Sequence, residues 1–249
     1  MEIVKIKSLS EYMEFVEDLD KNFCLSRGQT KEYSLLPSGL RFDENKKRKY
    51  SKKLLCYYLD EFKINSYNYI EKPGDIINDI EWMIYAQHYG LPTYLLDFSR
   101  AHIISLMFSV ENAFQLVNDE NISNSEVYFL NPYELNRKFA KYSDVITTFD
   151  KIPLNVDGPI AIQARKMNHR INAQNGLFVK FEDGDEPLEN VGDDEILKKI
   201  IIEPDSKRKI LTSIFNMGIG FSHLYPELSY VVKDIIAKRN IIEFQEEDY

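Results

Sequence analysis

Apolar positions near the start of the chain recur in helical rhythm: Leu9, Tyr12, Phe15, Val16 and Leu19 fall three and four residues apart, the spacing of one helix face. "SLSE" at 8–11 opens that helix as a capping box, with Ser8 as N-cap and Glu11 reaching back. "NFCLSRGQ" reads as a short strand ending at Arg27 and broken by Gly28. Residues 46–70 form a second helical pattern, with Leu54, Leu55, Tyr58, Leu59 and Phe62 on one stripe. "NDIEWMIYAQHYG" is the third. Gly90 is its left-handed cap and Pro92 prevents continuation. His88 therefore lies in the last turn, where the helix dipole favours the cationic imidazole.

"PTYLLDF" reads as a buried strand. "RAHIISLMFSVENAF" is apolar nearly all round and predicts a central helix, which Ser99 is placed to N-cap. The second half is richer in strands: "SEVYFL", "GPIAIQA", "GLFVKFE" and "KKIIIE" are short, β-rich and bounded by turn residues. Two helices close the chain, one from near Ser206 to Gly218 and one with Pro226 at its first position. Helices with two early strands, then several strands, then helices suit an α+β domain with a mixed, short-stranded sheet better than a βαβ repeat. No internal repeat or Pro/Gly/Ser-rich linker divides residues 1–249, which read as one domain.

Composition narrows the function classes. Of 249 residues, 44% are hydrophobic and 29% charged, ordinary for a globular protein. A net charge of −9 argues against broad nucleic-acid binding, which needs a basic footprint. Two local basic runs, "KKRKYSKK" at 46–53 and "KRK" at 207–209, read as solvated helix ends. The two cysteines, Cys24 and Cys56, stand beside apolar residues and read as small buried hydrophobes, with neither a disulfide framework nor a structural zinc site expected. No signal-peptide core and no apolar run of ~18 residues is visible, so a cytoplasmic protein is expected. There is no GxxxxGK[ST], GxGxxG, HExxH or GxSxG, and His88, His102, His169 and His223 are scattered. No metal site is expected.

Three segments resist a purely structural reading. In "SRGQT" at 26–30, an arginine at a strand end is suited to bidentate phosphate or carboxylate recognition, and Gly28 lets a ligand approach the backbone. In "QHYGLPTYLLDFS", Asp97 follows Tyr94, Leu95 and Leu96. A carboxylate there caps the next helix with Ser99 or faces a pocket. In "RINAQNGLF" at 170–178, Gln174 precedes a strand, where its amide can read a ribose or simply close a turn.

In this order the segments resemble the FRG domain family of bacteria and phages, named for a Phe-Arg-Gly motif. The resemblance rests on "SRGQ" at 26–29, "LLPSGLR" at 35–41, "WMIYAQHYGLPTYLLDFS" at 82–99, "RINAQNGLF" at 170–178, "IIIEP" at 200–204 and "LYPEL" at 224–228. Ser26, Tyr94 and Phe98 depart from the family's Phe, Arg and Trp, and the missing arginine at 94 removes an anion contact the family could make there. The resemblance implies a role in phage defence. The layout is also similar to ADP-ribosyltransferases of the Arg-Ser-Glu type, which implies an ADP-ribosyltransferase-like fold and NAD as substrate. On that analogy, Arg27, Gly28, Gln29 and Ser99 bind NAD, and Arg27, His88, Asp97 and Gln174 form the catalytic set, with Glu182 in reserve for the family's carboxylate. It further implies a toxin or anti-phage effector with an antitoxin or defence partner and a macromolecular acceptor, nucleic acid or protein, without a membrane. The rival expectation is a non-enzymatic module that binds a nucleotide or a phage component. A nuclease is a third, less favoured because no carboxylate cluster is visible.

Overall fold

The computed structural model of the chain describes residues 1–115, 123–150, 156–165, 176–225 and 227–247. They form one eight-stranded sheet with eight α-helices packed on it, an α+β architecture. The strands are β1 (Glu2–Ile6), β2 (Leu25–Gln29), β3 (Leu95–Ser99), β4 (Ser125–Leu130), β5 (Ile146–Thr147), β6 (Ile160–Gln163), β7 (Gly176–Lys180) and β8 (Leu197–Ile202). Their order in the sheet is β1-β8-β4-β2-β3-β7-β6-β5. Only the outer pairs β1–β8 and β5–β6 are parallel. The helices are α1 (Leu9–Glu17), α2 (Lys52–Ser66), α3 (Asp79–His88), α4 (His102–Val110), α5 (Pro132–Ala140), α6 (Leu188–Val191), α7 (Pro204–Asn216) and α8 (Leu228–Glu247).

The helices start where local chemistry satisfies free backbone donors. Ser8 Oγ accepts from Glu11 N in α1, and the Glu11 carboxylate accepts from Lys7 N. Asn78 caps α3 through Glu81 N. β1 was not foreseen; its pairing with β8, almost two hundred residues away, is a long-range event that five residues do not announce. The predicted start of α8 at Pro226 lies outside the described residues.

Strand alternation sends side chains to two faces. On one face, Tyr12, Leu106, Met107, Phe129, Ile200 and Ile210 form a core beneath α1, α4 and α7, and Ile80, Ile84, Leu95, Ile160 and Phe178 form a second against α3. On the other face, Leu25, Leu96, Phe98, Leu130, Leu177 and Val179 make a continuous core across the middle of the sheet.

Three expectations are corrected. Gly28 does not break β2, which runs through to Gln29. A Cβ at 28 would lie 1.8 Å from Ser105 O and 2.9 Å from Ser109 N, so the missing side chain admits α4, where the sequence had suggested a ligand. Lys207 is not a solvated helix end: it is 1% exposed, and its Nζ donates to Thr30 O at the end of β2 (2.9 Å). Cys56 is exposed rather than buried, and Cys24 is half-buried.

Candidate functional site

The sheet parts at its centre. β2 and β3 are in register only at Ser26 and Ser99, whereas β2 pairs with β4 over five positions and β3 with β7 over five. Beyond that single pair the end of β2 and the start of β3 separate, and a cavity of about 550 Å³ opens there. Its walls include Arg27, Gly28 and Gln29 of β2, His88 of α3, and Asp97 and Ser99 of β3. Six of the seven proposed residues thus surround one pocket. The seventh, Gln174, lies outside the described residues, as does Arg170 of the same segment.

Arg27 reaches across the parted strands. Its Nη1 donates to Asp97 O (2.8 Å) and lies 3.0 Å from Asp97 Oδ2. The arginine side chain is 18% exposed and the aspartate 52%, so the cation forms the wall and the carboxylate opens to the cavity. Arg27 Nε is buried without a hydrogen-bond partner among the described residues. Asp97 does not cap α4. Its other oxygen, Oδ1, accepts from Gln87 Nε2 (3.2 Å), and the Gln87 carbonyl accepts from the Thr93 hydroxyl. Thr93 Oγ1 also accepts from Leu95 N (3.2 Å). A chain of bonds therefore runs from the first amide of β3 to the carboxylate and holds Asp97 from one side while Arg27 holds it from the other.

Ser99 Oγ is engaged locally, accepting from Ala101 N (3.0 Å), so it shapes the turn before α4 without acting as N-cap; Ala101 holds that position. Gln29 Nε2 donates to Tyr33 O (2.7 Å) and holds the turn that follows β2. His88 sits in the last turn of α3 beside Tyr89, with ring centroids 4.8 Å apart. Glu182, the reserve carboxylate, pairs with Lys180 and is not part of the pocket wall.

Sequence reasoning gave no role to Arg41, Gln87, Thr93 or Glu111. Arg41 and Glu111 line the pocket. Arg41 arrives on a loop docked by Gly39 N on Thr93 O (2.9 Å) and by Thr93 N on Ser38 Oγ (3.3 Å). Burial pulls the Arg41 guanidinium below its ordinary range, and the nearby Arg27 pulls it further. The available signal was the "LLPSGLR" motif itself, which ends in Arg41, and "AQHYG", which holds Gln87. Among the described residues, no three His, Cys, Asp or Glu side chains are grouped to hold a metal ion, and no helix is long and apolar enough to cross a membrane.

A mixed α+β sheet with an arginine–carboxylate pair between parted strands defines a protein with a polar cleft at the centre of its sheet. Over residues 23–117 the chain matches the model of the FRG domain. That span carries Arg27, Gly28, Gln29, Arg41, His88, Asp97 and Ser99, while Phe178 and Tyr225 of the later motifs line the pocket from outside it. No curated protein and no solved structure matches the chain.

Proposed function

We propose that the cleft binds an NAD-like dinucleotide and transfers its ADP-ribose to a macromolecular acceptor, in the manner of an ADP-ribosyltransferase. The observation that carries this reading is the pairing of Arg27 with a pocket-facing Asp97, with a second guanidinium, Arg41, in the same wall. The two guanidiniums offer charge-assisted donors suited to phosphates, although Asp97 and Glu111 balance their charge in the wall, and the cavity volume lies within the range of nucleotide-sized sites. Arg27 and Arg41 would hold the diphosphate. His88 and Ser99 would border the ribose. In the reaction the nicotinamide–ribose C–N bond breaks and its electron pair leaves with nicotinamide. The acceptor atom bonds to the ribose carbon and releases its proton to solvent. Asp97, fixed by Gln87 and Arg27, would stabilise the cationic ribose between those two events. Gln174 would orient the acceptor, and Glu111 supplies a second carboxylate in the wall.

An effector with this activity fits a toxin or anti-phage role, restrained by a partner protein until needed. The test is nicotinamide release from NAD by the purified chain. Asp97→Asn keeps the shape and the Gln87 contact but removes the charge, so activity should fall by about 10²-fold or more. A half-exposed ion pair contributes only ~0–1 kcal/mol, so the melting temperature should barely change. One observation favours a binding module instead: Arg27 Nη1 is already occupied by both the carbonyl and the carboxylate of Asp97. NAD binding without any nicotinamide release would select that reading.

A further inference from the structure

The basic run at 46–53, expected as a solvated helix end, precedes α2 for most of its length and lies beside an aromatic track. Residues 42–48 fold back as a tight hairpin, with a bridge between Phe42 and Arg48 and Lys49 N donating to Arg41 O (3.0 Å). The hairpin is thus rooted at Arg41, in the wall of the pocket. Lys46, Lys47, Lys49, Lys52 and Lys53 are exposed, and none joins an ion pair among the described residues. Among nearby carboxylates, Asp43 accepts the amides of Asn45 and Lys47, Asp60 and Asp79 share Lys63, and Glu44 is exposed at the hairpin tip, so five lysines face two hairpin carboxylates.

From this hairpin the rings run toward the cleft. Tyr50 lies 6.2 Å from Tyr58, and Tyr57 lies 6.2 Å from Tyr58. Tyr58 and Phe62 are four residues apart in α2 and so share a helix face. Phe62 lies 6.4 Å from Tyr89, whose ring is 4.8 Å from His88 at the pocket. Tyr57 is 56% exposed and Tyr89 66%, while Tyr50, Tyr58 and Phe62 are half-buried. Two exposed rings in a run of five, with unpaired lysines at its start, match the two needs of single-stranded nucleic acid: faces on which bases stack and cations for the backbone. The net charge of −9 does not oppose this, because fields from distant carboxylates are screened beyond about 8 Å at physiological salt.

We propose that the hairpin at 42–48, the lysines that follow it to Lys53 and the aromatic track from Tyr50 to Tyr89 bind single-stranded nucleic acid and lead it to the cleft. As a binding surface the track stands by itself; as the path of the acceptor it rests on the transfer reading above.

The test is fluorescence anisotropy of the full chain with labelled single-stranded RNA and DNA of about 16 nucleotides, without NAD, over a salt series. Binding should weaken with salt, with a log–log slope of about −0.7 for each phosphate contact. The Lys52→Glu, Lys53→Glu double variant, and independently Lys46→Glu, Lys49→Glu, should flatten that slope and weaken binding at least about tenfold. Tyr57→Ala and Tyr89→Ala should each weaken binding about tenfold with the slope kept, because stacking is not ionic. All of these positions are exposed, and circular dichroism checks that each variant is folded. No binding at low salt, wild-type affinity in the charge variants, tighter binding of a duplex, or equal displacement by polyglutamate would overturn the proposal; the last would point to an acidic protein partner. Because NAD is absent, failure of the transfer reading leaves this result standing. Conversely, nicotinamide release with no nucleic-acid binding would retain the cleft and discard the track.

Discussion

A methyl group at position 28 has nowhere to go. It would meet the backbone carbonyl of Ser105 at 1.8 Å and the backbone of Ser109 at 2.9 Å, and helix backbone, unlike a flexible side chain, cannot swing aside. Gly28→Ala should therefore cost about 3 kcal/mol or more, beyond ordinary overpacking, and lower the melting temperature by on the order of 10 °C for a chain of this size. Calorimetry or a circular dichroism melt measures it directly; a variant as stable as the parent would mean that α4 can withdraw from β2. The same residue shows where sequence reading stops. An Arg-Gly pair at a strand end was visible, and so were Asp97 after an apolar run and His88 at a helix end, because each is a local pattern. That Gly28 serves a helix packed some eighty residues later, that Lys207 is buried against Thr30, and that Arg41 joins the pocket through a loop docked on Thr93 are long-range facts. Nothing within ten residues of any of them specifies its partner.

Between elements, the joint of β2 with α4 is polar in an otherwise apolar layer. Ser26 Oγ donates to Ser105 Oγ (2.8 Å), and His102 Nδ1 lies 2.8 Å from Ser26 Oγ. The His102 ring packs edge-on against Phe129, centroids 5.2 Å apart. Burial pushes the His102 imidazole below its ordinary range, because a charge there would leave water without gaining a counter-ion. The folded state then binds this proton less readily than the unfolded chain. The contribution of neutral His102 is intact above the unfolded pKa, about 6.5, and declines as pH falls through that value toward the lower folded pKa. The melting temperature should thus drop between about pH 7 and pH 5.5, and His102→Asn, which can still bond Ser26, should flatten the drop. An unchanged slope in the variant would assign the effect to other groups. The apolar periodicity of α4 was readable in advance, and so was its central place; the His–Ser–Ser chain was not, because Ser26 and His102 stand seventy-six residues apart.

For the molecule as a whole, the sheet is two four-stranded halves, β1-β8-β4-β2 and β3-β7-β6-β5, joined in register at the Ser26–Ser99 pair. One face is bridged by the continuous core that links Leu25 and Leu130 of the first half to Leu96, Phe98, Leu177 and Val179 of the second. On the other face the cores are separate, one under each half. The cleft takes Arg27 from the first half and Asp97 from the second, so a ligand there touches both. A ligand bound only by the folded chain stabilises it by mass action, about 2.7 kcal/mol at a hundred times the dissociation constant. For a chain of this length that corresponds to a rise in melting temperature of about 5–10 °C. ADP and NAD should both produce it, adenosine much less, since the diphosphate is what Arg27 and Arg41 would grip. Arg27→Ala should lose most of the shift, because a charge-assisted contact contributes about 1.5–3 kcal/mol. The measurement asks nothing of the chemistry, so it separates an inactive cleft from an empty hypothesis. If adenosine shifts the melt as far as ADP, the two arginines are not an anion site; if no nucleotide shifts it, the parting of β2 from β3 belongs to the fold alone.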